Sequence, residues 1–195
     1  MNKIGEYGPY KMDLEFTFSD FESWGGAHNC GFDSCIKLLH NKECFIDVGA
    51  HIGLVSIPAS TVMSKTGVIY AFEPSLVNRQ HLISHIKKNN ILNINVLPTL
   101  VGSKNSKSLL FYEKDSASGQ NGIYVKKRHN QYHTLRVDQI QLDFFCDNRK
   151  LKPEVIKIDV EGAECGVLQG ALLTISKYKP VIFLSVHPEE LKLFD

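Results

Sequence analysis

Residues 44–53 read Cys44-Phe45-Ile46-Asp47-Val48-Gly49-Ala50-His51-Ile52-Gly53, and the reading of this stretch decides the fold. A short apolar run ends in a carboxylate, two glycines flank a tight turn, and helix-compatible sequence follows. This is the pattern of a buried parallel strand handing over to a helix. Glycine at such a turn reaches positive φ and lets a ligand approach without meeting a Cβ. The free N–H groups of the following helix can receive a carboxylate or another electron-rich group. A second apolar run, residues 68–72, ends in Glu73-Pro74. An acidic side chain at that strand end can accept hydrogen bonds from both hydroxyls of a ribose.

The glycine spacing narrows the ligand. A dinucleotide fingerprint packs Gly-x-Gly-x-x-Gly so that backbone amides crowd around a pyrophosphate. Here the turn is Gly49-x-x-x-Gly53, with Asp47 just upstream. One glycine fewer and one carboxylate more suit a ligand with no phosphate and a cationic end. S-adenosylmethionine fits, with its ribose, ammonium, carboxylate and sulfonium. A nicotinamide-dependent oxidoreductase on a related sheet is the rival reading, and the spacing disfavours it.

Composition sets bounds on partners. The chain has 195 residues, with 22 basic against 21 acidic side chains. A single domain is expected, with residues 1–43 as an N-terminal strand and helix cap and 44–195 as the ligand-binding part. The charge balance leaves no broad basic field for a nucleic acid backbone, and Lys126-Lys127-Arg128-His129 reads as a solvated turn. No apolar run approaches the roughly 18 residues that span a bilayer, and no signal-like segment opens the chain. The expected compartment is cytoplasmic. The cysteines, Cys30, Cys35, Cys44, Cys146 and Cys165, are odd in number and scattered, as reduced thiols are. His28, Cys30, Cys35 and His40 lie close in sequence but lack paired metal-ligand spacing, so no metal site is expected.

Along the chain, residues 12–18 alternate as a half-buried edge or cap strand. Asp33 or Ser34 can cap a helix with Cys35, Ile36, Leu38 and Leu39 on its apolar side. Residues 54–63 form a helix in which Pro58 should produce a kink. A helix capped by Ser75 presents Leu82, Ile83 and Ile86. Residues 94–101 are a third strand, which Pro98 places at an edge. Strand-like runs at 108–112 and 122–126 flank a polar loop, read as a surface hairpin rather than a substrate lid. A short strand at 134–137 precedes Asp138, the cap of a helix over 139–146. Residues 155–159 are the fourth central strand, followed by a helix with a stripe of Ala163, Val167, Leu168, Ala171, Leu172 and Ile175. Residues 180–186 are the fifth, nearly continuously apolar. Alternating strands and helices predict an α/β fold with a mostly parallel, doubly wound, Rossmann-like sheet and its ligand at the carboxyl ends of the strands.

The pieces together resemble the FkbM family of S-adenosylmethionine-dependent methyltransferases. They are Asp47-Val48-Gly49-Ala50-His51-Ile52-Gly53, Ala71-Phe72-Glu73-Pro74, Lys157-Ile158-Asp159-Val160-Glu161-Gly162-Ala163-Glu164 with Val167-Leu168-Gln169-Gly170-Ala171, and Ser185-Val186-His187-Pro188. His51 stands where the family often has asparagine. The resemblance implies a class I methyltransferase fold and O-methylation of a hydroxyl on a sugar, glycan or natural product. That fold normally adds two antiparallel strands after the fifth, and here the sequence stops short of them. The fifth strand is then expected to expose an apolar edge, covered by another copy of the chain, by a partner or by the N-terminal strand. A truncated, non-catalytic relative that binds a partner through this edge is the alternative to an enzyme.

The site expected within this reading has Asp47, Gly49, Ala50, His51 and Gly53 around the amino-acid end of S-adenosylmethionine, with Glu73 and Pro74 at the ribose. An alcohol is a poor nucleophile at neutral pH, so a base within hydrogen-bond reach helps. His187, Glu161 and Asp159, in that order, are the candidate catalytic residues.

Overall fold

The computed structural model describes residues 2–16, 30–123 and 132–188, with Cys30 described by its backbone alone. In chain order the elements are β1 (Asn2–Ile4), β2 (Tyr7–Tyr10), a 3₁₀ turn at Leu14–Phe16, α1 (Cys30–Leu38), β3 (Cys44–Val48), α2 (Ser56–Val62), β4 (Val68–Phe72), α3 (Leu76–Lys88) and β5 (Ile94–Leu97). They continue as β6 (Leu100–Val101), β7 (Ser106–Glu113), β8 (His133–Ile140), α4 (Leu142–Arg149), β9 (Val155–Ile158), α5 (Glu164–Gln169), α6 (Leu172–Tyr178) and β10 (Val181–Leu184).

Five strands form one sheet in the order β10-β9-β3-β4-β5, every pair parallel. From β3 the chain winds one way through β4 and β5, then returns past β3 to lay down β9 and β10. The crevice between β3 and β9 at their carboxyl ends is therefore the topological switch point, where ligands bind in open α/β sheets. Side chains alternate between two cores. Phe45, Ile69, Ala71 and Val155 pack with Ile36, Leu39, Ile57 and Leu82 on one face. Ile46, Val48, Phe72, Ile156 and Ile158 pack with Leu142, Phe145, Val167 and Ala171 on the other. Helices cover both faces, which is why these strands read as nearly continuous apolar runs, broken by Asp47 in β3, Asn95 in β5 and Lys157 in β9.

Several local expectations need correction. Residues 12–16 form no strand but carry the 3₁₀ turn, and 17–18 lie outside the described residues. Strands β1 and β2 pair with each other, so the N-terminal strand does not cover β10. That edge is open rather than buried, with Val181 and Leu184 exposed, and no antiparallel strand follows it among the described residues. Leu38, Ile83 and Leu172 point outward. The buried stripe of α3 is Asn78, Leu82 and His85, two of them polar and therefore invisible to a hydrophobic pattern. Pro58 is the third residue of α2, within the first turn, where proline is tolerated. Asp138 lies inside β8 and caps nothing; the helix begins only at Leu142. β7 pairs with β8 along its length, and of the described residues 122–123 only Gly122 meets it, in a single bridge to Tyr112. The rest of that run, the cluster at 126–129 and His28 lie outside the described residues.

The helix expected after Gly162 is two helices. It breaks at Gly170, where a Cβ would stand 2.0 Å from the carbonyl oxygen of Gly102. The Asp143 carboxylate then receives the N–H groups of Leu173 and Thr174 at the start of α6. Gly166, inside α5, has only the Ser103 nitrogen 3.8 Å from such a Cβ. Gly170→Ala should cost about 1–3 kcal/mol through overpacking, whereas Gly166→Ala should stabilise by about 0.5–1 kcal/mol by removing helical glycine. Urea denaturation midpoints of the two variants check the contrast, and equal shifts would discount the steric account.

Candidate functional site

The motif residues converge because the strands end level. Asp47 sits opposite Ala71 on one side and Lys157 on the other, with Val48 opposite Phe72 and Ile158. Beyond these pairs, the Gly49 and Ala50 N–H groups both donate to the Phe72 carbonyl at 3.0 Å, and the Asp159 N–H donates to Val48 at 3.1 Å. A cavity of about 230 Å³ opens here, lined by Gly49, Ala50, His51, Glu73, Pro74, Asn78, Lys157, Asp159 and Glu161 among others.

Asp47 lies beneath this cavity rather than on its wall. Fully buried, it accepts Ser56 Oγ at 2.6 Å and Lys157 Nζ at 3.1 Å. Lys157 also donates to the Gly49 carbonyl at 3.0 Å. Burial works against the ammonium charge, but Asp47 and Asp159 outweigh it and hold the pKa above the usual lysine value. Lys157 went unnoticed as a functional residue because the run Val155-Ile156-Lys157-Ile158 is fully buried, and a lysine in such a strand makes sense only with its acidic neighbour in register.

The two glycines serve the protein more than the ligand. A Cβ on Gly49, at φ +79°, would lie 1.9 Å from the Asp159 carbonyl oxygen; one on Gly53, at φ +97°, would strike Leu82 and Ile57. Gly49 lets β3 and β9 close at the switch point, and Gly53 seats α2 against α3. Gly53 is not among the residues lining the cavity. His51 sits at φ +52°, a left-handed conformation that asparagine and histidine tolerate better than most residues. Its burial pushes its pKa down to about 4, so the ring is neutral, and its Nε2 is buried with no partner among the described residues.

Glu73, at the end of β4, also lines the cavity. It accepts the His51 N–H at 2.7 Å and the Ser75 N–H at 3.0 Å. Burial raises its pKa to about 7, against the lowering effect of those donors. Two backbone donors leave a carboxylate with lone pairs to spare.

The polar stretch 115–121 is no plain surface hairpin, since Ser118, Gly119 and Asn121 form part of the cavity wall. Buried Asn78 holds it there, donating to the Ser118 carbonyl at 2.9 Å and accepting the Ser118 N–H at 3.0 Å. Below, Glu113 on β7 accepts Ser75 Oγ at 2.7 Å and lies 2.9 Å from His133 Nε2, tying the hairpin to the start of α3. Asn121 accepts the Lys114 N–H through Oδ1, leaving buried Nδ2 without a partner among the described residues.

The three candidate bases cluster around His187. Its Nδ1 lies 2.7 Å from Glu164 Oε1, and its Nε2 lies 3.6 Å from Asp159 and 3.8 Å from Glu161. Burial opposes its charge, but Glu164, Glu161 and Asp159 together raise its pKa above the ordinary value. Asp159 and Glu161 line the cavity; His187 stands beside them and is not one of the lining residues. Glu164, 2 % exposed, is the orienting carboxylate that sequence reading passed over. Glu161 at φ +52° and Gly162 at φ +101° make a strained turn beyond β9, and strain of this kind, of order 1–3 kcal/mol, concentrates at functional sites.

Breaking the pair beneath the cavity gives a stability test. Lys157→Met should destabilise by about 3–5 kcal/mol because it strands the buried Asp47 charge, and adding Asp47→Asn should recover much of that loss. A double-mutant cycle by chemical denaturation measures both; strictly additive losses would mean the two side chains do not act as a pair.

Comparison with known proteins bears on the fold and the family. A crystal structure of methyltransferase FkbM from Methylobacillus flagellatus KT superposes with a TM-score of 0.54 at 23 % identity, covering 80 % of this chain and 36 % of that one. Precorrin-6y C5,15-methyltransferase from Geobacter metallireducens GS-15 gives a TM-score of 0.49 at 16 % identity, covering 91 % of this chain and 73 % of the other. This chain thus spans about a third of the length of the FkbM structure. No curated protein matches. The methyltransferase FkbM domain profile matches residues 47–194, most of the chain and every motif described above, and the protein belongs to the FkbM methyltransferase family.

Proposed function

We propose that the protein is an S-adenosylmethionine-dependent O-methyltransferase acting on a hydroxyl of a sugar, glycan or natural product. The observation that carries the reading is the charge layout of the switch-point cavity. Among the described residues Lys157 is the only lysine or arginine lining it, Asp159 stands 3.9 Å from that cation, Glu161 lines the same wall, and Glu73 lies at the other strand end. A zwitterionic amino-acid end fits the first group, with its carboxylate toward the remaining Lys157 N–H and its ammonium toward Asp159. A ribose fits Glu73. The apolar side chains of Phe72, Leu100, Val101, Phe111 and Ile123, with Asn121 Nδ2, unpartnered among the described residues, at their margin, suit a flat heteroaromatic base. When bound, S-adenosylmethionine supplies a methyl group on a sulfonium, which passes to the acceptor oxygen and leaves a neutral thioether.

The chain's own part is to hold the reacting atoms together and take the proton. Aligning an oxygen about 3 Å from the methyl carbon can supply ~7–11 kcal/mol of the barrier. The hydroxyl proton goes to the cluster of Asp159, Glu161 and His187, in which Glu164 fixes the ring by accepting from Nδ1 and leaves Nε2 facing the two cavity carboxylates. His187 accepts a proton only in its neutral form. Its raised pKa therefore delays this role to higher pH, and turnover should climb as the medium becomes more alkaline.

Two measurements test the reading. Calorimetry should detect S-adenosylmethionine binding to the purified chain, and no heat at millimolar cofactor would remove the proposal. Affinity should also tighten as pH rises through about 7, where Glu73 ionises and becomes a better acceptor for ribose hydroxyls. Glu73→Gln should weaken binding at least ~10-fold at pH 8 and flatten the dependence. The same group makes the apo fold less stable at high pH: with its pKa raised, Glu73 binds more protons folded than unfolded, and that stability fades as pH climbs through 7.

A further inference from the structure

The N-terminal arm crosses α3 at a cluster of ligand-type side chains that the cavity does not use. His81 and His85 are one helical turn apart on α3, and Asp13 comes from the arm just before its 3₁₀ turn. One ligand atom from each lies within 4.8 Å of the other two. We propose that Asp13, His81 and His85 form a zinc-type divalent metal site that fastens the N-terminal arm to α3.

The orientation of each ligand supports this. A metal-bound histidine characteristically gives its outer ring N–H to a carbonyl or carboxylate, which fixes the tautomer and aims the other nitrogen inward. His85 Nδ1 lies 3.0 Å from the Ile52 carbonyl and its Nε2 faces Asp13. His81 Nε2 lies 3.0 Å from Glu15 Oε1 and its Nδ1 faces Asp13. On the carboxylate, Ser84 Oγ donates to Oδ1 at 2.6 Å and Lys88 donates to the same oxygen. Oδ2 is thereby turned to the histidines, 2.6 Å from His81 Nδ1 and 3.5 Å from His85 Nε2. Ligands about 2.0–2.1 Å from a tetrahedral zinc stand roughly 3.3 Å from one another, near the 2.6 and 3.5 Å at which Asp13 Oδ2 already faces the two rings. Two imidazoles and one carboxylate with an open fourth position suit zinc better than the all-oxygen sets of magnesium or calcium.

Two groups compete with the ion. The Asp13 N–H donates to His85 Nε2 at 3.1 Å and must give up that bond. The Lys88 ammonium repels a cation, but its side chain is 41 % exposed and can turn into solvent while Ser84 keeps Oδ1. Phe16 sets its ring edge-on to both imidazoles, with centroids 4.9 and 5.7 Å away, and shields the cluster from water on that side. Ile52 belongs to the turn that shapes the cavity, so the His85 bond ties this site to that turn.

The test uses the full chain, stripped with chelator and dialysed, then titrated with Zn²⁺ by calorimetry and with Co²⁺ by visible absorption. One equivalent should bind with a sub-micromolar Kd, raise the thermal midpoint and give the d–d bands of a nitrogen- and oxygen-ligated cobalt. Because His85 is fully buried and its replacement can prevent folding, the variants are His81→Ala and Asp13→Asn. Each should weaken Zn²⁺ binding at least ~100-fold while circular dichroism stays unchanged. Binding that survives both variants, or cobalt bands of thiolate ligation, would place the metal elsewhere and overturn the proposal. Wild-type protein that binds no zinc would also overturn it.

Discussion

Where β3 and β9 separate at the centre of the sheet, a buried lysine must be kept charged. Lys157 is enclosed in a core that would ordinarily drive it neutral, and Asp47, directly across the strand pair, together with Asp159 holds its proton. An ion pair in such a place adds little net stability, because desolvating two charges nearly cancels their attraction. What it does is fix geometry. Lys157 also grips the Gly49 carbonyl, and Ser56 grips Asp47 at the start of α2. The glycine turn, the first helix after it and the fourth strand are thus held to one another by one charge cluster beneath the cavity.

From that anchor the remaining site follows by layers. The turn hands its His51 N–H to Glu73, Glu73 is braced from α3, and Asn78 on α3 holds the hairpin loop over the opening. Glu73 and the Ser118 backbone, both at the cavity wall, are thus supported by hydrogen bonds from neighbouring elements, as precise placement of a reacting centre requires. On the far side the same logic gives His187 its orienting carboxylate, Glu164, and its two carboxylate neighbours.

The N-terminal arm extends the supports outward. Lys11 and Asn89 exchange backbone and side-chain hydrogen bonds, and Asp13 gathers Ser84, Lys88 and two histidines of α3. Ile4, Tyr10 and Met12 share the core that covers one face of the sheet. A segment of two short strands and a 3₁₀ turn is therefore joined by apolar burial and by charge to the helix that also presents Asn78.

Sequence by itself determined the strand-and-helix alternation, the parallel central sheet, β5 at its edge and the grouping of Gly49, Glu73, Asp159 and His187 at one end. These depend on short-range patterns: apolar runs of strand length, glycine at a forced turn, acids at strand ends. Tertiary structure alone decided which side chains meet across strands or between distant segments. Lys157 gains its meaning only when register sets it opposite Asp47. Asn78 and His85 point inward for hydrogen bonds that no hydrophobic stripe reveals. Gly170 breaks a helix because a carbonyl from another loop occupies its Cβ position, and Asp13 finds His81 and His85 only after the arm folds back over α3. Local pattern encodes local conformation, whereas pairings between groups dozens of residues apart depend on where the completed fold puts them.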